Sequence, residues 1–202
     1  ALDTFKLKEP VLDSFCGVGT TLLACKKRGM ESIGTDVSPL AVLASKVKTR
    51  NYGLKEIENE FQKFQALKPQ PIERIPIDPR IRKLFYHEAL GTIWFYKTQI
   101  EQIENDKVRD FFWLALIDTT GRCANVVKVG GSLRKQKKPD MPVAKLFLGK
   151  IKKMMLDIRQ AQFNLKKTDS NSDKKNNFNS NSPNEPSVLE MDCRQLDLED
   201  ES

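Results

Sequence analysis

The stretch VLDSFCGVGTT, Val11 to Thr21, decides how this chain is read. An apolar pair, Val11-Leu12, runs into Asp13; Gly17 and Gly19 follow one residue apart, and a helical pattern begins at Thr20. A glycine-rich turn between a first strand and a helix cradles a nucleotide or a nucleotide-like ligand. Glycine lets the backbone approach such a ligand, and a helix N-terminus favours negative charge.

Working outward, PVLDSF reads as a buried strand and TTLLACKKRG as a helix, with Leu22, Leu23 and Ala24 turned inward and Gly29 as its stop. ESIGTD reads as a second short strand. In SPLAVLASKVKTRNYG, Ser38 is a good N-cap, Pro39 suits the first helical position, and Leu40, Leu43, Ala44 and Val47 make an apolar face. Strand, glycine turn, helix, strand, helix opens a parallel α/β sheet.

The ligand is narrowed by what is missing. A dinucleotide fingerprint needs GxGxxG, but Leu22 stands where the third glycine belongs, and GxxxxGK[ST] does not occur at this turn. S-adenosylmethionine has no pyrophosphate and fits better. Its carboxylate can face the amides of Gly19 to Thr21, and its ribose hydroxyls want a carboxylate at the end of the second strand, where Asp36 sits. Its adenine amino group wants an acceptor after a later strand, and Asp192, following VLEM, is the candidate. The bland alternatives are a turn-forming acid before Ser38 and an ordinary loop acid at position 192.

The segment VLDSFCGVGTTLLACKKRGMESIGTDVSPLAVLASKVKTRN resembles the cofactor-binding segment of class I amino-group DNA methyltransferases, which typically reads like DPFCGSGTT followed by an acid-bearing strand and a proline-started helix. The resemblance implies an α/β fold, an incomplete Rossmann-like methyltransferase sheet with a large, mainly helical insertion. It implies cofactor contacts at Asp13, Phe15, Gly17, Gly19 and Asp36, with Cys16, Thr20 and Val37 completing the turn, and LEMDCRQL adds Asp192 and Cys193. Ser14 replaces the usual proline and Val18 a usual serine, in a stretch that acts mainly through its backbone. The family also carries a [DNS]PP[YFW] tetrapeptide that holds the flipped base. No Pro-Pro pair occurs in these residues. No catalytic residue is therefore expected in this chain, the tetrapeptide being expected beyond Ser202. Cys16 lies where the cofactor belongs and is rejected as a nucleophile. The alternatives are an RNA guanine-N2 methyltransferase, which shares a similar FCGxG turn, and a non-catalytic cofactor-binding or recognition subunit that needs a second chain.

The remaining sequence sets the surroundings. The chain has 202 residues and a formal net charge of +7, which suits a polyanionic partner, DNA first and RNA second. Its four cysteines, Cys16, Cys25, Cys123 and Cys193, form no CxxC pair, and His87 is the single histidine, so no metal site is expected and a reducing, cytoplasmic compartment fits. No apolar stretch is long enough to span a bilayer. The expected division is 1–53 for the cofactor-binding half, 54–165 for a helical insertion, 166–187 for a disordered Asn/Ser-rich linker, and 188–202 for a return strand. The chain opens on Ala1 and stops at LDLEDES, so it reads as a fragment or one half of a split protein.

Inside the insertion, KVGGSLRKQKKPDMP reads as a flexible basic loop able to track phosphates, with Arg122, Arg134, Lys135, Lys137 and Lys138 as candidate nucleic-acid contacts. A solvated charge run is the alternative. Tyr86, Trp94, Phe95, Tyr96, Phe111, Phe112 and Trp113 read as insertion core, as does a stripe of Val143, Phe147, Ile151, Met154 and Ile158.

Overall fold

The computed structural model describes residues 10–70, 72, 74–170 and 185–195. Two compact units divide them. One holds the residues up to Asn51 together with 185–195; the other holds those from Tyr52 to 170.

The first unit is a parallel three-stranded sheet in the order β1 (Val11–Asp13), β2 (Ser32–Asp36), β5 (Ser187–Glu190). Asp13 pairs with Gly34, and Asp36 with Glu190, so the carboxyl ends of all three strands meet along one edge. Helix α1 (Thr20–Lys27) packs on β2 and on α2 (Pro39–Thr49), which in turn packs on β2 and β5. The inward residues of α1 are Leu22 and Cys25, three apart, rather than Leu22, Leu23 and Ala24. In α2 they are Val42, Ala44, Ser45, Val47 and Thr49, while Leu43 is half-buried and Leu40 faces solvent. Capping follows the sequence: Ser38 Oγ accepts from the Ala41 amide at 3.4 Å, and Pro39 opens the helix. The chain leaves this unit at Asn51 and returns by residue 185, and the Asn51 amide donates to the Glu185 carboxylate at 2.8 Å.

The second unit is built on α3 (Leu54–Ala66), the short α4 (Pro79–Arg82), α5 (His87–Ile100), α6 (Asp106–Cys123) and α7 (Val143–Ser170), with a hairpin of β3 (Val126–Val129) and β4 (Ser132–Lys135) between the last two helices. Helix α6 packs against α5 and α7, and α3 against α7. Their shared core is aromatic. Phe64 lies 4.8 Å from Phe112 and 6.0 Å from Phe147, and Tyr96 lies 4.7 Å from Phe147, all ring to ring. Tyr96, Phe111 and Phe112 are buried as expected; Tyr86, Trp94, Phe95 and Trp113 are half-buried at its margin. Desolvation pushes the Tyr96 phenol above its ordinary value.

Two expectations are corrected here. The buried stripe of α7 runs Val143, Phe147, Ile151, Met155, a strict four-residue step, with Met154 and Ile158 only half-buried. The basic loop is a regular antiparallel hairpin: Val126 pairs with Lys135 and Val129 with Ser132 around a two-residue Gly130-Gly131 turn. Glycine suits the first turn position, where Gly130 has φ 58, a conformation that matches the turn to the twist of the strands. Of the linker expected over 166–187, residues 171–184 lie outside the described set; α7 runs to Ser170 and β5 begins at Ser187. No described helix is long and apolar enough to cross a membrane.

Candidate functional site

The turn after β1 is held in place from both sides. The Cys16 amide donates to the Thr35 carbonyl at 2.9 Å, and the Thr35 hydroxyl donates back to the Ser14 carbonyl at 3.0 Å, so the turn hangs on the last residues of β2. The Gly19 amide closes onto the Cys16 carbonyl at 2.8 Å. Asp36 then ties turn to loop: Oδ2 accepts from the Gly17 amide at 2.9 Å and Oδ1 from the Ser38 amide at 2.8 Å. An ionised carboxylate offers about four acceptor positions, so two remain for a ligand.

The two glycines serve different ends. Gly17 has φ 51 and a Cβ added there would meet nothing within 4 Å, so its outer side is open. Gly19 has φ 72, but a Cβ there would sit 2.2 Å from Ser45 Oγ and 3.0 Å from Ser45 Cα. It is glycine because α2 crosses directly over it. The close helix packing that the missing third glycine of a dinucleotide fingerprint would supply is found here instead. Gly34 adds to this: its bare Cα accommodates Leu22 and Cys16, which would lie 2.5 and 2.9 Å from a Cβ. Cys16, Leu22, Val42 and Val188 form the small apolar cluster beneath.

Several apolar side chains on and next to the turn are exposed. Phe15 is 75% exposed and Val37 67%, with Val18 and Leu40 also open. No side chain caps the N-terminus of α1, leaving its first-turn amides to other partners. The sequence-derived candidates Asp13, Phe15, Cys16, Gly17, Gly19, Thr20, Asp36, Val37, Asp192 and Cys193 thus all lie along the carboxyl edge of the sheet. Asp13 accepts from the Phe15 amide at 3.3 Å. Cys16 is buried; desolvation raises its thiol above the ordinary value, opposed by the nearby Ser45 hydroxyl and reinforced by Asp13 and Asp36. A buried thiol held protonated is a poor nucleophile.

Past β5, the Met191 amide donates to the Asp36 carbonyl at 3.2 Å, which sets Asp192 just beyond Asp36 along the edge. Asp192 is already engaged. Arg194 Nε lies 3.0 Å from each of its carboxylate oxygens, Nη2 pairs with Oδ2, and the Arg194 amide donates to Oδ1 at 3.0 Å. These bonds hold the Asp192 carboxyl below the usual range. Cys193 opens a single 3-10 turn and is half-exposed. Neither Ser45 nor Arg194 was identified from sequence. Ser45 carries no local signal, because only the crossing of α2 over the turn gives it a role; Arg194 was legible as a cation two residues from Asp192.

In the second unit the basic candidates separate. Arg122 Nε lies 3.0 Å from Asp118, which Lys150 also approaches at 3.3 Å. Lys138 points Nζ at the Arg122 carbonyl, 3.4 Å away. Arg134, Lys135 and Lys137 stand exposed on and after β4.

The unit with this glycine turn is a mixed α/β fold on a parallel three-stranded sheet. The chain is similar to three type II methyltransferases. It is 37% identical to M.MjaII of Methanocaldococcus jannaschii over 54 residues, 27% of this chain and 10% of that protein. It is 27% identical to M.MvaI of Kocuria varians over 123 residues, 56% of this chain and 27% of that one. It is 34% identical to M.BsoBI of Geobacillus stearothermophilus over 68 residues, 33% and 13% of the two chains. The methyltransferase resemblance read from the glycine turn therefore holds, and the matched part of the chain spans between 10% and 27% of the lengths of these three proteins. No family model matches, and no solved structure matches.

Proposed function

We propose that this chain supplies the S-adenosyl-L-methionine site of a DNA amino-methyltransferase acting on adenine N6 or cytosine N4. The observation that carries the reading is Asp36, whose carboxylate braces the open Gly17 turn and keeps acceptor positions for two ribose hydroxyls. The uncapped first turn of α1, at Thr20, receives the cofactor's carboxylate. Phe15 and Val37 give apolar cover to the adenine ring. Asp192 accepts the adenine amino group only once the Arg194 side chain turns away, since that guanidinium spans both carboxylate oxygens. When bound, the cofactor supplies an electrophilic sulfonium methyl group. The sheet order β1-β2-β5 suits a Rossmann-like class, being that of one half of a doubly wound sheet. Exposed Arg134, Lys135 and Lys137 suit DNA phosphates; Arg122 and Lys138 are more remote contacts, being drawn into their own unit.

Calorimetric titration of the chain with S-adenosylmethionine tests this. Saturable one-site binding, lost in Asp36→Ala, is expected. Because no Pro-Pro pair occurs in the sequence, methyl transfer by this chain alone is expected to be absent and to need a second polypeptide segment that carries the base-holding tetrapeptide. Failure to bind the methyl donor, or tighter binding of a nicotinamide dinucleotide, rules the reading out.

A further inference from the structure

The β3–β4 hairpin differs from the helices it grows out of. Its base is fastened by Asn125, which is buried. The Asn125 amide donates to the Leu84 carbonyl at 2.7 Å, its carbonyl accepts from the Gln136 amide at 2.9 Å, and its Oδ1 accepts from the Lys138 amide at 2.9 Å. The Tyr86 hydroxyl adds a bond to the Lys138 carbonyl at 2.6 Å. Beyond that base the two strands pair only with each other, and every residue of β4 is exposed. A lone two-stranded ribbon is marginal in water, so these fastenings at Asn125 and Lys138 are what give it a fixed direction.

The far end of the ribbon combines features that a solvated charge run lacks. Leu133 is 70% exposed and Val129 53%, two large apolar side chains beside the turn. Between Asp118 and Asp140 the sequence holds no carboxylate but carries Arg122, Lys128, Arg134, Lys135, Lys137 and Lys138. Arg122 is taken up by Asp118, whereas Arg134, Lys135 and Lys137 stand exposed next to Leu133. A ribbon with an apolar side chain on each face beside its turn, cations behind them and no acid in its sequence matches a polyanion with apolar groups within reach, not a second protein surface of mixed charge.

We infer that β3–β4 is a rigid ribbon that enters the major groove of B-form DNA, with Leu133 against base edges and Arg134, Lys135 and Lys137 against the flanking phosphates. The dimensions agree. Strands of four residues extend about 13 Å, and two of them with side chains are about 10 Å across, against a groove about 12 Å wide and about 8.5 Å deep. Double-stranded RNA offers a deep, narrow major groove that would refuse the ribbon. The inference rests on the DNA reading above and deepens it: the hairpin is a base-reading element as well as a phosphate tether.

The test is fluorescence polarisation of a labelled mixed-sequence duplex with the full chain across a salt series. The variant Arg134→Gln/Lys135→Gln/Lys137→Gln, which alters only exposed side chains, should bind at least ~tenfold more weakly and lower the slope of log affinity against log salt by about 2.7, near 0.9 per phosphate contact. Leu133→Ser should weaken binding by roughly fivefold with the slope unchanged, the mark of a non-ionic contact. A duplex whose major groove is filled by glucosylated hydroxymethylcytosine, and duplex RNA, should each bind at least ~tenfold more weakly. An unchanged slope in the triple variant, or equal affinity for the filled duplex or the RNA, overturns the inference. Methyl-donor titration separates this from the cofactor reading. A chain that binds S-adenosylmethionine but binds DNA independently of the hairpin refutes the ribbon alone, while hairpin-dependent DNA binding without donor binding refutes the cofactor site alone.

Discussion

The two units are held together by opposite means. The helical unit is organised by bulk: Phe64, Tyr96, Phe111, Phe112 and Phe147 fill its centre, with Ile57, Ile100 and Ile151 fully buried around them. The sheet unit has a small apolar cluster of Cys16, Leu22, Val42 and Val188, and its shape depends on backbone constraint at Gly19, Gly34 and Asp36. A large aromatic core tolerates drift at its margin. A braced turn does not, because each brace has one geometry. The unit carrying the candidate site is therefore the one in which small substitutions should matter for binding, and the helical unit the one in which only large cavities should matter for stability.

The largest expected effect is on the helical side. Phe112→Ala empties a fully buried position touching Phe64, Phe111 and Phe147, and should cost about 3–5 kcal/mol by urea denaturation. Trp94→Ala, at the half-buried margin, should cost clearly less; equal losses would break the contrast between core and rim. Next comes the pair of glycines. Gly19→Ala should lose more than about 2 kcal/mol, through left-handed backbone strain and collision with Ser45, whereas Gly17→Ala should lose only the strain, about 1–2 kcal/mol. Gly17→Ala should nevertheless weaken methyl-donor binding, because its open side faces the candidate site. If the two variants lose stability equally, α2 does not dictate Gly19.

Asp36→Asn sharpens the comparison at smaller scale. It removes a charged acceptor from the Gly17 and Ser38 amides and should cost about 1.5–3 kcal/mol, with loss of donor binding beyond what the stability change explains. The smallest effect concerns Asp192. Its carboxyl is lowered by its hydrogen bonds to Arg194, so the pair's stabilisation is present above the ordinary carboxylate value and is lost as pH falls through the lowered one. Because Arg194 is exposed and Asp192 half-buried, Arg194→Ala should lower the melting temperature only slightly and raise the Asp192 titration midpoint toward the ordinary value by carbon-detected NMR. The same variant should bind the methyl donor at least as well as the parent, if Asp192 meets the adenine.

What could be read from the chain followed from how local each feature is. The glycine turn, the Ser38-Pro39 helix start and the acid closing β2 are contiguous signals. In each, the residue types and the backbone they require sit within a few positions. The Ser38 cap was legible for the same reason; at α6 the cap is Asn105, whose Oδ1 accepts from the Lys107 and Val108 amides. Which face of a helix turns inward was less legible. Leu40 and Val42 are both good apolar residues, and the neighbour that α2 meets decides between them. The basic loop was misread because its charges hid an alternation, VVKV and SLRK, that is regular once Gly130-Gly131 is seen as a hairpin turn.

By itself the sequence determined the elements of the sheet unit, the turn between β1 and α1, and the acid that faces it, because each is specified by φ preference, capping and short-range periodicity. Only the tertiary structure decided that Ser45 makes Gly19 obligatory, that Asp36 braces two loops at once, that Arg194 occupies Asp192, and that the basic stretch stands up as a ribbon. The first two depend on atoms brought together across about twenty residues of chain, and the last two on which of several available local pairings forms; no local propensity encodes which pairs will meet.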